Sequence, residues 1–157
     1  MNRLAKFWEL APRHKVLLVK AWLLLGCYRF AILTLSFKRL TAHLEHHRIA
    51  STPHRLPSNQ RDEAKLIGHL VAGASRVTPW QSLCLVQVLV VQRLLASRDI
   101  PGQFFLGVRM GVSDDQRDKR ALAAHAWLQC DEDIVNGAAG HEQFAVVSAF
   151  SWGRADD

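Results

Sequence analysis

The segment 83–97 is apolar on almost every side, and it constrains the fold more than any other feature of the chain. Between residues 85 and 95 its polar positions are Gln87, Gln92 and Arg93. A helix this apolar must be covered on several faces, so we expect it to be the central helix of a domain. A turn at 78–82 leads into it, with Ser82 as the predicted N-cap, and this places Cys84 in the first helical turn.

Helical patterns come first along the chain and strand patterns follow. Residues 62–77 have apolar side chains at helical spacing, with Asp62 and Glu63 in the predicted first turn, where the helix dipole favours acidic groups. Strands are predicted at 103–110, 121–130, 133–136 and 143–150, with an exposed loop at 111–120 and a tight turn at 131–132. This order predicts an α+β domain with an antiparallel meander.

The N-terminal part contains the most apolar stretch, residues 15–37, which Lys20 and Arg29 interrupt. It holds no run of uncharged residues long enough to span a bilayer, so we predict a buried or interfacial helix. Basic residues beside Trp22 also permit a helix at a membrane surface. Pro and Ser/Thr residues between 51 and 60 indicate a linker there. We therefore divide the chain into a helical arm at 1–50, a linker at 51–60 and a domain at 61–157.

The arm is also basic, because residues 1–60 hold ten Lys/Arg against two Asp/Glu in a chain whose net charge is +6. A basic arm can meet anionic lipid, an acidic peptide or nucleic acid, although a solvated helix face is the commoner reason for such charge. No nucleic-acid-binding motif accompanies it, so we expect no nucleic-acid partner.

Cysteine and histidine spacing argues against a metal site. The three cysteines are odd in number and widely spaced, which fits a reducing cytoplasm better than a disulfide framework. There is no CxxC pair, and His43 and His47 do not form an HExxH motif; we interpret 43–47 as an exposed polar helix end. The chain begins without the plan of a signal peptide. We expect a cytoplasmic protein with neither metal nor cofactor.

Cys84 and His125 are the residues most suited to chemistry. A helix N-terminus offers a partial positive charge and unpaired N–H groups, which favour a thiolate and can hold an oxyanion. A strand histidine within reach could take the thiol proton and return it to a leaving amine. Free cysteine is also among the most buried residue types, so a core role for Cys84 stays open.

Several segments together resemble the leader peptidases of lasso-peptide biosynthesis. The similarity lies in the string from Trp80 through Cys84 to Arg93, then Ile100-Pro101, Leu106-Gly-Val108-Arg109, His125-Ala-Trp127-Leu-Gln129 and Phe144-Ala-Val-Val147. The resemblance covers about residues 61–150, and an N-terminal helical arm is similar to that of the family as well. It implies a transglutaminase-like, papain-like cysteine protease core with that arm attached.

The resemblance also implies an activity and partners. A Cys-His-Asp triad would remove the leader of a ribosomally made precursor peptide through a thioester. We expect no leader-recognition domain in this chain, so the resemblance implies a separate leader-recognition protein, together with a macrolactam cyclase. Two alternatives are kept: another acyl-transfer enzyme on the same fold, such as an amidase or a transglutaminase, and a non-catalytic binding module of a peptide-maturation complex.

Carried over by position, Cys84 matches the nucleophile and His125 the base. The third residue is open between Asn136 and Asp133, because the end of the following strand holds Asn136 where the family often has Asp. We expect Asp133, like Asp131, to be solvated unless it serves in this way. Gln81 is a candidate for a second oxyanion donor, and Trp127 either shields the ion pair from water or packs in the core.

Overall fold

The structure, a computed structural model, describes residues 10–47, 55–80, 83–111 and 121–153. In these ranges the helices are α1 (Pro12–Thr34), α2 (Phe37–Leu40), α3 (Ser58–Ser75) and α4 (Cys84–Ala96). The strands are β1 (Glu45–His47), β2 (Gly102–Gly111), β3 (Ala121–Cys130), β4 (Asp133–Asn136) and β5 (Ala145–Trp152), and a 3-10 turn spans His141–Gln143. The α+β architecture is confirmed, but the order of helices before strands is not kept throughout, because β1 precedes α3 and α4.

The strands form one antiparallel sheet in the order β1-β5-β2-β3-β4. β2 and β3 pair without interruption from Gln103 opposite Gln129 to Gly111 opposite Ala121. The pairing of β3 with β4 shifts register between Leu128 and Gln129, which indicates a bulge in that hairpin. This irregularity lies in the pairing of β3, the strand that holds His125.

The two faces of the sheet are covered differently. On β3, Ala126, Leu128 and Cys130 belong to the main core together with the apolar side chains of α1, α3 and α4. Because side chains alternate along a strand, Trp127 points to the other face, where it packs with Phe105 in a smaller cluster. The helices therefore cover one face, and that face holds most of the buried apolar surface.

α4 is the central helix that the sequence predicts. It packs against α1, α3 and β3, and most of its side chains are fully buried. Its N-cap is Leu83 and not the predicted Ser82, which lies outside the described residues. The N-cap residue Leu83 makes no side-chain hydrogen bond to the helix, and the first N–H groups have no acceptor within the helix itself.

α3 begins earlier than the sequence indicates. It starts at Ser58, inside the predicted linker, and Pro57 accepts hydrogen bonds from the N–H groups of Gln60 and Arg61. The prediction that Asp62 and Glu63 occupy the first turn is therefore wrong. The polar residues 58–60 carry no apolar periodicity, so the first turn of α3 left no signal in the pattern.

The predicted helix end at 43–47 is also wrong, because residues 45–47 form the edge strand β1, paired with β5. An edge strand tolerates polar and charged side chains, so Glu45-His-His gave no strand pattern. β5 itself runs two residues beyond the predicted 143–150, after the 3-10 turn. α1 packs on α3 and α4. The division into arm, linker and domain stays a prediction.

Candidate active site

Cys84 is the first residue of α4 and is half-buried at the border of the main core. The first bond of the helix runs from the N–H of Gln87 to the carbonyl oxygen of Leu83 at 3.1 Å. The N–H groups before it have no acceptor within the helix, and the helix dipole places partial positive charge there. A thiol at this point is suited to carry negative charge and to deliver it to a nearby carbonyl carbon.

His125 is half-buried on β3, and its ring is held by a backbone group. The Nε2 atom lies 2.8 Å from the carbonyl oxygen of Gly137. A carbonyl oxygen accepts hydrogen bonds and cannot donate them, so Nε2 carries the proton and the lone pair of a neutral ring lies on Nδ1. Nδ1 is therefore the atom that can act as a base.

Aromatic side chains surround this imidazole. The ring of Trp127 stacks on it with centroids 5.9 Å apart, and the ring of Phe144 lies 5.1 Å away. Trp127 is itself 5% exposed and stacks on Phe105 at 5.5 Å. Trp127 packs in the smaller cluster, as the core interpretation predicts, and it also covers one side of the histidine ring; its shielding of an ion pair stays a prediction. Arg109 lies over the Phe144 ring and donates a hydrogen bond to Gln143.

The structure does not bring Cys84 and His125 together. His125 lies opposite Gly107, near the middle of the β2–β3 ladder, and Cys84 begins the helix that packs on the main-core face of β3. His125 shares its face with Trp127, however, and that face is the one the helices leave uncovered. Among the described residues, no hydrogen bond links Cys84 to His125.

Asp133 faces α3 and takes part in an ion pair. Its Oδ2 atom accepts hydrogen bonds from Arg61, with the nearest nitrogen at 2.8 Å, and lies 3.1 Å from Nζ of Lys65. The hydrogen bonds from these two side chains lower the pKa of the Asp133 carboxyl. The expectation that Asp133 is simply solvated is therefore wrong, since its charge is engaged with α3.

Asp131 is also engaged and not solvated, because the protein buries all but 9% of it. Its Oδ2 atom accepts the N–H of Leu56 at 3.2 Å and lies 3.7 Å from Nε of Arg61. Asn136 is buried too, at 6% exposure, where the bulge pairs it with Leu128. Among the described residues, neither Asn136 nor Asp133 hydrogen-bonds His125, and their catalytic roles stay predictions.

The sequence did not point to the Gly137 carbonyl, which contacts the ring where a triad's third side chain would be expected. Gly137 has φ of +74°, and a Cβ atom built on it would lie 2.5 Å from the carbonyl oxygen of Ala126. A glycine directly after a strand is the signal that could have indicated this tight backbone approach. Gln81 lies outside the described residues, so its role as an oxyanion donor also stays a prediction.

Cys130 provides an internal contrast to Cys84. It is 1% exposed in the main core, on the face of β3 opposite to His125, as its odd spacing from His125 predicts. Burial, first of all, raises the pKa of its thiol to about 12. A thiol that neither ionises nor meets solvent has no nucleophilic use. Among the described residues, no cluster of three or more His, Cys, Asp or Glu side chains is suited to hold a metal ion.

Comparison with known protein families gives one match. Residues 27–149 match the model of the transglutaminase-like superfamily, a range that contains Cys84, His125 and both candidates for the third residue. Neither the comparison with curated proteins nor the comparison with solved structures gives a match. The matched range begins inside α1, so the family pattern includes part of the predicted arm.

Proposed function

Because the chain belongs to the transglutaminase-like superfamily, whose members are generally cysteine proteases or acyltransferases, we propose that it is a leader peptidase. Its substrate is a ribosomally made lasso precursor peptide, from which it removes the leader. The observation that carries the proposal is the position of Cys84 as first residue of α4, directly after the N-cap Leu83, which makes no side-chain hydrogen bond to the helix. The resemblance of the segments around Cys84 and His125 to lasso leader peptidases supplies the substrate class.

The reaction begins with attack of the Cys84 sulfur on the carbonyl carbon at the junction between leader and core. The N–H groups at the start of α4 stabilise the oxyanion. His125 takes the thiol proton on Nδ1 and returns it to the amine of the departing core peptide. The leader stays attached to Cys84 as a thioester, which water then hydrolyses to release a carboxylate and restore the thiol.

This chemistry requires the imidazole to reach the α4 side of the sheet. In the structure the ring lies on the other face, anchored by one hydrogen bond to Gly137 and by contacts with Trp127 and Phe144. A shift of one residue at the start of β3 exchanges the two faces, because side chains alternate along a strand. The proposal therefore includes a local rearrangement of β3 around His125 when the precursor binds.

The partners follow from the same resemblance. A leader-recognition protein delivers the precursor, and a macrolactam cyclase uses the core peptide after cleavage. Asn136 and Asp133 are both proposed as the residue that supports His125 during catalysis. Asn136 has the stronger case, because the charge of Asp133 is already engaged by Arg61 and Lys65. Loss of cleavage in Asn136→Ala together with normal cleavage in Asp133→Asn would identify Asn136.

The test is digestion of a lasso precursor peptide, with and without a leader-binding protein, read by mass spectrometry. We expect wild-type protein to release leader and core, and Cys84→Ala and His125→Ala to release neither while keeping a native circular dichroism spectrum. Cys27→Ala is the matched control, since Cys27 is exposed on α1 and outside the candidate site. A Cys84→Ala variant that trims the precursor at the wild-type rate would refute the mechanism.

The products also separate the alternatives. Hydrolysis adds one water to the cut peptide, whereas an amidase or a transglutaminase releases ammonia or joins the acyl group to a second amine. A non-catalytic binding module would leave the precursor intact and still bind it. Release of ammonia or transfer to a second amine would indicate an amidase or a transglutaminase. Binding without cleavage would indicate a binding module. Each of these results would refute the peptidase proposal.

A further inference from the structure

The outward side of α1 carries an apolar stripe. Its members each expose between 50% and 69% of their surface and recur at intervals of three, four or seven residues, which places them on one helix face: Val16, Val19, Leu23, Phe30 and Leu33. Leu35, at 43% exposure, continues the stripe beyond the helix end. A contiguous exposed patch of large apolar side chains marks a surface that meets a partner or a membrane.

The stripe is not the face that α1 uses to join the fold. Leu17, Ala21 and Leu25 are buried against the main core, and they lie on the opposite side of the helix. α1 is therefore apolar on two opposite sides. By length and composition alone, the helix could cross a membrane. With one side packed on α3 and α4, the helix presents only the other side outward.

The charges within the segment that carries the stripe have one sign. From residue 10 to residue 44 the sequence holds six Lys/Arg and no Asp or Glu. Lys20 is exposed on α1, and α2 adds Lys38 and Arg39 just beyond the helix end. A second copy of the chain would bring like charges together along the seam, which disfavours pairing of two such helices. An anionic lipid surface satisfies both the apolar stripe and the basic residues.

We propose that α1 docks the protein side-on to an anionic lipid bilayer. The stripe lies at the boundary between headgroups and acyl chains, and the basic residues of α1 and α2 meet the lipid phosphates. The helix lies in the plane of the interface and does not span the bilayer, since its inner face stays on α3 and α4. The docking does not depend on the proposed peptidase activity.

Cys27 gives a direct probe, because it is exposed on the same helix face between Leu23 and Phe30. An environment-sensitive fluorophore is attached to Cys27 in the full chain carrying Cys84→Ala. Emission is recorded with vesicles that mix phosphatidylglycerol and phosphatidylcholine, and with vesicles of phosphatidylcholine alone. We expect a blue shift with the mixed vesicles and loss of the shift in high salt, which screens the lipid charge.

Flotation of the unlabelled full chain with the same vesicles measures binding. Replacing both apolar side chains in Leu23→Ser/Phe30→Ser should weaken partitioning into mixed vesicles by about tenfold or more. The control is Val147→Ser/Leu122→Ser, which removes two apolar side chains of similar exposure outside the stripe. Val147 and Leu122 are 51% and 68% exposed, and Leu23 and Phe30 are 55% and 68% exposed. Lys20→Gln should weaken binding by about fivefold.

Three results would overturn the proposal: no flotation of wild-type protein with mixed vesicles, equal loss in the stripe and control variants, or equal binding to both vesicle types. Light scattering tests whether a second copy of the chain packs on the stripe. A wild-type dimer that the stripe variant converts to a monomer, without vesicle binding, would assign the stripe to a second copy and overturn membrane docking. Circular dichroism confirms that each variant is folded before it is compared.

Discussion

The Nε2 atom of His125 donates a hydrogen bond to the backbone carbonyl of Gly137 at 2.8 Å, and Gly137 is held with φ of +74°. This carbonyl fixes the tautomer of the imidazole and leaves the lone pair of a neutral ring on Nδ1. Ala126 and Trp127 limit the space at Gly137, because a Cβ atom there would lie 2.5 Å from the Ala126 carbonyl oxygen and 2.9 Å from Cα of Trp127. Position 137 therefore links backbone geometry to the protonation of the histidine.

Gly137→Ala should destabilise the protein strongly, because φ is positive at this position and because an added Cβ would meet the backbone. Gly140→Ala separates these two causes. Gly140 has φ of +73° but its nearest neighbour would be 3.6 Å from an added Cβ. Gly140→Ala should lower the free energy of unfolding by about 1 kcal/mol, the cost of a left-handed alanine. Gly137→Ala adds overlap with the backbone and should lower it by about 3 kcal/mol or more. Urea denaturation measures both, and equal losses would contradict the close approach at Gly137.

The thiol of Cys84 should react with iodoacetamide near about pH 6 to 7 if a helix start and an imidazole activate it. Single-cysteine variants that retain Cys27, Cys84 or Cys130 allow each rate to be measured by mass spectrometry. Because Cys84 and His125 meet only when the precursor binds, His125→Ala should slow labelling of Cys84 at this pH when the precursor is present, and it should leave the exposed Cys27 unchanged. Cys130, buried and with a pKa of about 12, should stay unlabelled until the protein unfolds. A Cys84 rate that is indifferent to His125 would contradict the proposed pair.

The regular elements could be predicted from the sequence because their patterns are strong. The apolar stretch that became α4 and the strand-like apolar segments that became β2 and β3 are found where expected. α3 began early and β1 was missed, since polar residues after Pro57 and the edge strand Glu45–His47 carry no apolar periodicity. Patterns report burial, so elements with little burial escape them.

The site was predictable only in part, for a different physical reason. Residue type and position predict Cys84 and His125 as the reactive pair, whereas the hydrogen-bond partner of His125 is a backbone carbonyl, which every residue possesses. The face of the sheet on which His125 lies depends on strand register, and a shift of one residue reverses it. Arg61, which connects Asp131 and Asp133 to α3, could not be paired with them without knowing how β4 packs.

Gly68 should be intolerant of alanine, because α3 and β4 touch there. A Cβ atom on Gly68 would overlap the carbonyl oxygen of Val135, whereas one on Gly73 of the same helix would meet nothing within 4 Å. Gly68→Ala should cost about 3 kcal/mol or more in unfolding free energy. Gly73→Ala should raise stability by about 0.5 to 1 kcal/mol, the difference in helix propensity. Thermal and urea unfolding of the two variants test the contact, and a neutral Gly68→Ala would refute it.

Asp133→Asn should change how stability depends on pH in acid. The Asp133 carboxyl has its pKa lowered below the usual 3.8 by the hydrogen bonds from Arg61 and Lys65. A carboxyl with a lowered folded pKa stabilises the protein fully above its ordinary pKa and loses that contribution as pH falls through the folded value. The stability gap between wild type and Asp133→Asn should therefore be constant at neutral pH and narrow below about pH 4.

Urea midpoints measured across this range test the effect, with Arg61→Gln and the double variant as controls. Arg61→Gln removes the largest cause of the shift, so it should also flatten the acid dependence, and the double variant should add little to either single change. If Asn136 is the residue that supports His125, cleavage by Asp133→Asn should stay close to wild type at neutral pH, because Asp133 is bonded to α3 and not to His125. An acid dependence identical to that of the wild type would show that the Arg61–Asp133 pair does not stabilise the fold.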